Sequence, residues 1–393
     1  MSHAAHAAPL RRNFVTPLTV VLAALTLIGF FFMGLRMFYG IGAVTNLNQG
    51  YPWGIWVVLD IFVGTALGCG AFSMAILVYV FNGAQYHPLM RPALLGSLFG
   101  YTLGGFAAFV DLGRWWNFYN VLLPWHWQPN SIMFEVALCL LAYTIVAWVE
   151  FTPVILERFG RLFERFRLYK PLKGLLERFM WVFVALGVLL PLMHQSSFGT
   201  VLLATSTKLS PLWLTVWLPL LFVVSAILLG YAVVMLEATV VTQSFDLPSE
   251  RKLLYRMSRV VGWVTVAWLV VRWADLISRD VVGFAFAGGV KATMFWIENL
   301  LYVGAALVFV TPSLRASARA SFVAAVALLL AAVIYRIDAL MIGQAHGNWS
   351  YFPSAPEILV TVGIISFEIL LYLVFIKMFP VLEGASRAGT AHV

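Results

Sequence analysis

The chain has 393 residues, 62% hydrophobic and 11% charged, with a mean hydropathy of +0.91. That composition excludes a soluble domain and reads as an all-α polytopic membrane protein from end to end. A formal charge of +8 would suggest nucleic acid in a soluble protein. Here a bias of basic residues toward one side of a membrane explains it, and no nucleic-acid partner is expected.

The first apolar run, about 17–37, follows Arg11-Arg12, which has a twin-arginine look. No small-x-small cleavage site follows, so it is read as a retained first helix with a basic flank. Nine more spans follow, at about 55–82, 93–113, 131–156, 178–194, 211–242, 258–278, 292–310, 318–342 and 357–379, about ten in all. Alternate loops carry the positive charge: Arg91, the seven basic residues from Arg158 to Arg178, Arg251, Lys252, Arg256, Arg259, Arg315, Arg319, Lys377 and Arg387. The opposite loops carry chiefly Lys208, Arg279 and Lys291, with Arg36, Arg114, Arg272 and Arg336 placed at helix ends. Both termini are therefore expected in the cytoplasm.

The loops opposite are rich in aromatic residues: Tyr51, Trp53, Trp115, Trp116, Trp125, Trp127, Trp349 and Tyr351. An interfacial belt needs fewer, so this side is read as a docking surface. Segment 157–178 alternates Phe159, Leu162, Phe163 and Phe166 with Arg158, Arg161 and Arg165, and is expected to lie as an amphipathic helix on the inner leaflet.

A repeat is faintly visible. Asp111 and Glu135 are 24 residues apart, Asp275 and Glu298 are 23 apart, and Met-Phe precedes each glutamate closely. Arg114 and Arg272 stand near the two aspartates. The offset of about four spans suggests one integral membrane domain, 1–393, holding two four-helix bundles. They are spans 2–5 (55–194) and 6–9 (211–342), flanked by spans 1 and 10.

The fourth span carries Glu135 and Glu150 fifteen residues apart, about 22 Å along a helix and on much the same side. Acids at membrane depth are costly and usually face a protein interior or a wet cavity, so two on one side suggest a proton route. The alternative is that both anchor helix ends near the headgroups. His194-Gln195-Ser196-Ser197 is expected to close the fifth span at its mouth, where the imidazole can give or take a proton or cap the helix. Tyr101 lies in a glycine-rich stretch, and its phenol needs a partner, for which Glu135 is available. Asp60, Glu237 and Glu368 are further in-span acids, and Arg272 with Asp275 are read as neutralising each other. Cys69 and Cys139 form no CxxC, so neither an iron–sulfur cluster nor any other metal site is expected in the chain. Of the seven histidines only His194 falls in a span, so haem is not expected either.

Several stretches resemble a known family. They include Asn46-Leu47-Asn48-Gln49-Gly50-Tyr51-Pro52-Trp53-Gly54, Gln85-Tyr86-His87-Pro88, Asp111-Leu112-Gly113-Arg114, Met193-His194-Gln195-Ser196-Ser197 and Met294-Phe295-Trp296-Ile297-Glu298. Together they are similar to the NrfD-type membrane subunits of the polysulfide reductase family, and within it to those of hydrogenase-2-type [NiFe] hydrogenases. The resemblance implies a haem-free, quinone-reactive subunit of a hydrogen:quinone oxidoreductase, not catalytic alone. It implies a periplasmic ferredoxin-like iron–sulfur subunit and hydrogenase small and large subunits as partners. It implies that electrons pass to menaquinone or ubiquinone with coupled proton movement. Tyr101, Glu135, Glu150 and Glu237 are expected to move protons. The quinone is expected at His194, Tyr101, Asp111 and Arg114. A secondary transporter using the same buried acids is the alternative, and a bare membrane anchor would not need ten spans.

Overall fold

The computed structural model describes residues 7–10, 12–51, 53–165, 169–248 and 250–383. Arg11, Pro52, Phe166, Arg167, Arg387 and His3, His6 and His392, on which parts of the sequence reading rest, lie outside the described residues. Among the described residues, ten helices are long and apolar enough to cross a membrane. They are α1 (Pro17–Tyr39), α2 (Val57–Val80), α3 (Ala84–Asp111), α4 (Ile132–Phe163), α5 (Tyr169–Ala204), α6 (Leu218–Ser244), α7 (Arg251–Ser278), α8 (Gly289–Val310), α9 (Ala318–Ile342) and α10 (Ala355–Met378). They alternate in direction, so one end of the molecule bears the described terminal residues and the basic loops, and the other bears the tryptophan-rich loops.

Helices α2, α3, α4 and α5 pack in turn, α5 closing back on α2; α6, α7, α8 and α9 do the same, α9 closing on α6. The two sets meet where α2 and α5 face α6. Helices α1 and α10 do not flank the two sets separately. They form the most extensive helix pair among the described residues and lie together against α3. Gly29 and Gly363 allow this: a methyl built on Gly29 would fall 2.7 Å from the Gly363 Cα. Small residues at a crossing let helix backbones approach in lipid, where packing replaces the hydrophobic drive. At the basic end Ala7–Ala8 pairs antiparallel with Leu382–Glu383.

Two differences from the expected spans matter. Helix α5 is 36 residues long, about 54 Å, far more than a hydrocarbon core of about 30 Å requires. It continues ten residues beyond His194, so the polar cluster lies within the helix and does not close it. The segment 157–178 is not a surface helix. Through Phe163 it extends α4, and from Tyr169 it is the start of α5. Phe159 is edge-on to Phe379 and Arg158 Nε donates to the Met378 carbonyl at 3.0 Å, while Leu162 is exposed.

Helix α2 is the most enclosed span. It opens with a π-helical stretch, Val57–Val63, and closes with another, Ile76–Val80. Wide turns of this kind free backbone carbonyls and often occur at functional sites. Asp60, Thr65, Cys69 and Ser73 are all buried along it.

Candidate functional site

The site builds outward from Thr65. Its hydroxyl donates to the Ile61 carbonyl at 2.6 Å, which uses its only proton. Its lone pairs then accept from Gln195 Nε2 and from His194 Nε2, each at 3.3 Å. The network thus assigns the imidazole proton to Nε2. His194 Nδ1 is fully buried and makes no close hydrogen bond among the described residues; the Val136 backbone on α4 is beside the ring.

Gln195 passes the network to the second bundle. Its Oε1 accepts from Arg336 Nη2 at 3.2 Å. Arg336 also donates to the Phe62 carbonyl (3.1 Å), the Ser225 hydroxyl (3.2 Å) and the Ala332 carbonyl (3.2 Å). All of these partners are neutral, so a buried guanidinium places positive charge at the junction of the two bundles, beside the His194 cluster. Arg336 is completely buried, not at a helix end as the sequence suggests.

On the other side of His194 lies Tyr101, with ring centroids 5.8 Å apart. Its hydroxyl is 3.7 Å from Cys69 Sγ, not on Glu135 as expected. Tyr143 stands edge-on to Tyr101 at 4.2 Å, buried, its hydroxyl without a partner among the described residues. Tyr143 also lines a cavity of about 500 Å³ that opens at the basic end and holds Glu150, Glu157, Tyr79 and Arg91. Gly187 on α5 leaves room for the Glu150 carboxyl, since a methyl there would meet it at 2.6 Å. Glu150, Tyr143, Tyr101 and His194 therefore form one line from that cavity into the centre of the first bundle.

Glu135 also faces α5, accepting from the Ser197 hydroxyl at 2.9 Å. Ser197 is three residues beyond His194, so both glutamates of α4 border the same line at different depths. Glu135 is half-buried, and Met133 and Met193 beside it are exposed on the outer flank of α4 and α5.

Other expected site residues are not gathered here. Asp111 is ten residues from Tyr101, about 15 Å along α3, and accepts from Trp56 Nε1 at 3.0 Å. Its neighbouring cation is the buried Arg36. Arg114 is exposed in the loop beyond. Glu237 accepts from the Tyr372 hydroxyl on α10. Arg272 does not neutralise Asp275. It pairs with Glu298 at 3.2 Å in the second bundle, both side chains being 2% exposed or less, while Asp275 pairs with Arg279 at 2.7 Å. Arg336, Thr65 and Asp338 were missed as site residues. The signal for Arg336 was its place six residues inside the end of α9, too deep for an interfacial arginine.

At the aromatic end, Tyr51 stacks on His346 at 3.5 Å and on Tyr351 at 5.3 Å, and Trp115 Nε1 donates to the Met37 carbonyl. The Tyr351 hydroxyl donates to Glu357 at 2.6 Å, and burial, with that bond, pushes the phenol pKa above its ordinary value. These residues hold the loops together. Trp116, Trp125, Trp127, Trp349 and Phe352 remain exposed.

Residues 43–346 match the family described as polysulphide reductase, NrfD. A probable Ni/Fe-hydrogenase 2 b-type cytochrome subunit of Escherichia coli K12 is 36% identical over 95% of this chain and 94% of its own length. The integral membrane subunit of a menaquinone reductase of Nitratidesulfovibrio vulgaris is 26% identical over 87% of this chain and 86% of its own. A selenate reductase subunit from Mesobacillus selenatarsenatis is 29% identical over 36% of this chain and 32% of its own.

The Escherichia coli relative is by name a b-type cytochrome subunit, and the expectation that this chain is haem-free is withdrawn on that finding. A two-histidine haem needs imidazoles facing each other within the bilayer. Among the described residues, His194 offers one buried nitrogen. His346 uses both of its own on the carbonyls of Gly50 and Met341 (2.7 Å each), and His87 and His126 lie toward opposite ends of the molecule. The described residues do not form such a pair. The family match over most of the chain, the ten helices and the near full-length relative agree: this chain is a polytopic membrane protein of the NrfD, or polysulphide reductase, family.

Proposed function

We propose that this chain is the quinone-reactive membrane subunit of a respiratory [NiFe] hydrogenase, coupling quinone reduction to proton movement. The observation that carries it is the line from the Glu150 cavity through Tyr143 and Tyr101 to His194, which ends on a buried imidazole. Reducing a quinone to a quinol takes two electrons and two protons, so its site needs a proton supply. The relatives named for a hydrogenase and for a menaquinone reductase support the choice of substrate.

The basic end faces the cytoplasm, by the positive-inside bias. The iron–sulfur subunit docks on the exposed tryptophans of loops 115–128 and 343–356 and brings electrons from the hydrogenase small and large subunits. The quinone approaches from the bilayer between α4 and α5, where Met133 and Met193 are pliable and Glu135 is within reach. Arg336 favours the negative charge that builds on a partly reduced quinone. Protons rise from the cytoplasm through Glu150, Tyr143 and Tyr101, so each reduction moves charge across the membrane. Asp111 and Arg114 belong with the docking end in this reading, not with the quinone.

The test is gentle purification followed by identification of co-purifying subunits and lipid-soluble redox molecules, with cross-linking. Iron–sulfur and nickel subunits, quinone, and cross-links to the two tryptophan loops are expected. Purification without a redox partner, together with saturable solute binding, would favour a secondary transporter. Cross-links to 157–178 would invert the orientation.

A further inference from the structure

The line above leaves several in-span acids unused, and they gather along one face of α10. Thr361, Glu368 and Tyr372 recur there at seven and four residues, the spacing that stacks side chains on one side of a helix. The Thr361 hydroxyl donates to Asp60 Oδ2 at 3.1 Å, and the Tyr372 hydroxyl donates to Glu237. Glu368 lies between them, with Asp60 and Glu237 as its charged neighbours.

Glu357, one turn above Thr361, is a contrasting case. It accepts from the backbone N–H groups of Ser354 and Asn46 and from Tyr351, and so serves as a cap. Asp60 is not satisfied in that way. It is 5% exposed and its Oδ1 has no partner among the described residues. Leaving a buried carboxyl oxygen unpaired is costly, and a site that tolerates it is usually hydrated or functional.

Space is present at both ends of this file. A cavity of about 30 Å³ reaches Glu237 and Tyr372 from the basic end, bordered by Glu250 and Glu383. A second, of about 10 Å³, lies against Asp60 and Trp56 toward the aromatic end. That is close to the smallest space that accommodates one water. Trp56 in turn donates to Asp111.

We propose that this face of α10 is a second proton conduit, running from Glu250 and Glu383 through Glu237, Tyr372 and Glu368 to Asp60 and Asp111. Beyond Glu383, which lines both cavities at the basic end, it shares no residue with the line to His194. It therefore carries protons across the membrane instead of supplying those consumed by the quinone. Each step breaks one O–H bond and forms another, and no electron moves. The inference rests on the reading of the chain as a proton-coupled quinone reductase.

The experiment uses the intact complex in sealed liposomes, with hydrogen as donor, following quinone reduction and charge movement together. Glu368→Gln and Asp60→Asn keep shape and hydrogen bonding. Both should leave quinone turnover near wild type. If the file carries one proton for each that the quinone takes up, charge moved per electron should fall roughly twofold. Equal loss of turnover and charge, or no change in either, overturns the conduit. Failure of the quinone reading itself would appear differently, as wild-type complex that does not reduce quinone. The same vesicles then decide the conduit through proton flux driven by a potassium–valinomycin potential. Glu368→Gln must lower that flux, and an unchanged flux refutes the proposal.

Discussion

Replacing Arg272 by methionine tests how the second bundle is held together. Arg272 and Glu298 are 3.2 Å apart and 2% exposed or less. At an effective dielectric of about 20, opposite charges at that distance attract by about 5 kcal/mol, before the cost of drying them is subtracted. The guanidinium also sits over Trp268, Phe295 and Tyr335, at 5.4, 5.4 and 5.0 Å, and methionine retains much of that apolar contact. What is lost is the charge. Glu298 would keep its bond from Trp213 Nε1 (3.0 Å), but it would face the buried Asp338 carboxyl with no cation between them. Removing one member of a buried pair costs about 3–5 kcal/mol. Glu298→Gln alone should cost a similar amount. The double variant should cost clearly less than the sum, with a coupling of about 2–3 kcal/mol. The assay is unfolding of the purified chain by rising detergent denaturant, followed by tryptophan fluorescence, for all four members of the cycle. A coupling below about 0.5 kcal/mol would show that the pair is adjacent without being a unit, and would refute the reasoning.

Two further predictions concern function and pH. Glu150→Gln should slow hydrogen-driven quinone reduction in liposomes, and His194→Ala should do the same, while transfer to a soluble artificial acceptor persists in both. Unchanged quinone turnover in either variant would remove that residue from the proton line. Glu250, outside the spans, is pushed up to about 7 by burial and then by the charge of Glu383. A carboxyl raised in the folded state favours folding while protonated, and that advantage is lost as pH rises from its unfolded value through about 7. Glu250→Gln should therefore gain thermal stability relative to wild type between about pH 5 and 8, and a constant difference across that window would contradict the assigned environment.

The helices were legible in the sequence because lipid demands long apolar runs, and the basic loops supplied the alternation. Their ends were not. Helix α5 continues past His194 through Gln195, Ser196 and Ser197, polar residues that ordinarily mark an interface. Here they bond to Thr65, Glu135 and neighbouring turns, so the helix need not stop. Glu135, Glu150, Tyr101 and His194 were visible as costly groups in apolar surroundings. Their partners were not, because Thr65 and Ser197 look like ordinary small residues of membrane helices. Arg272 and Arg336 were misplaced for a related reason. An arginine near the end of an apolar run resembles an interfacial anchor, and only the packing of three other helices around Arg336 shows that it faces inward.

The pairing of α1 with α10 has a consequence for how the chain is made. Of the ten helices described, the one synthesised earliest has as its main neighbour the one synthesised last. Until α10 is inserted, the Gly29 groove faces lipid, and the strand at Ala7–Ala8 lacks its mate at Leu382–Glu383. A message truncated anywhere before Ala355 thus yields a protein whose leading helix is an orphan, a feature that membrane quality control can recognise. Pulse-labelled chains ending at that point should be degraded faster than full-length chains, and co-expressing α10 as a separate peptide should slow their loss.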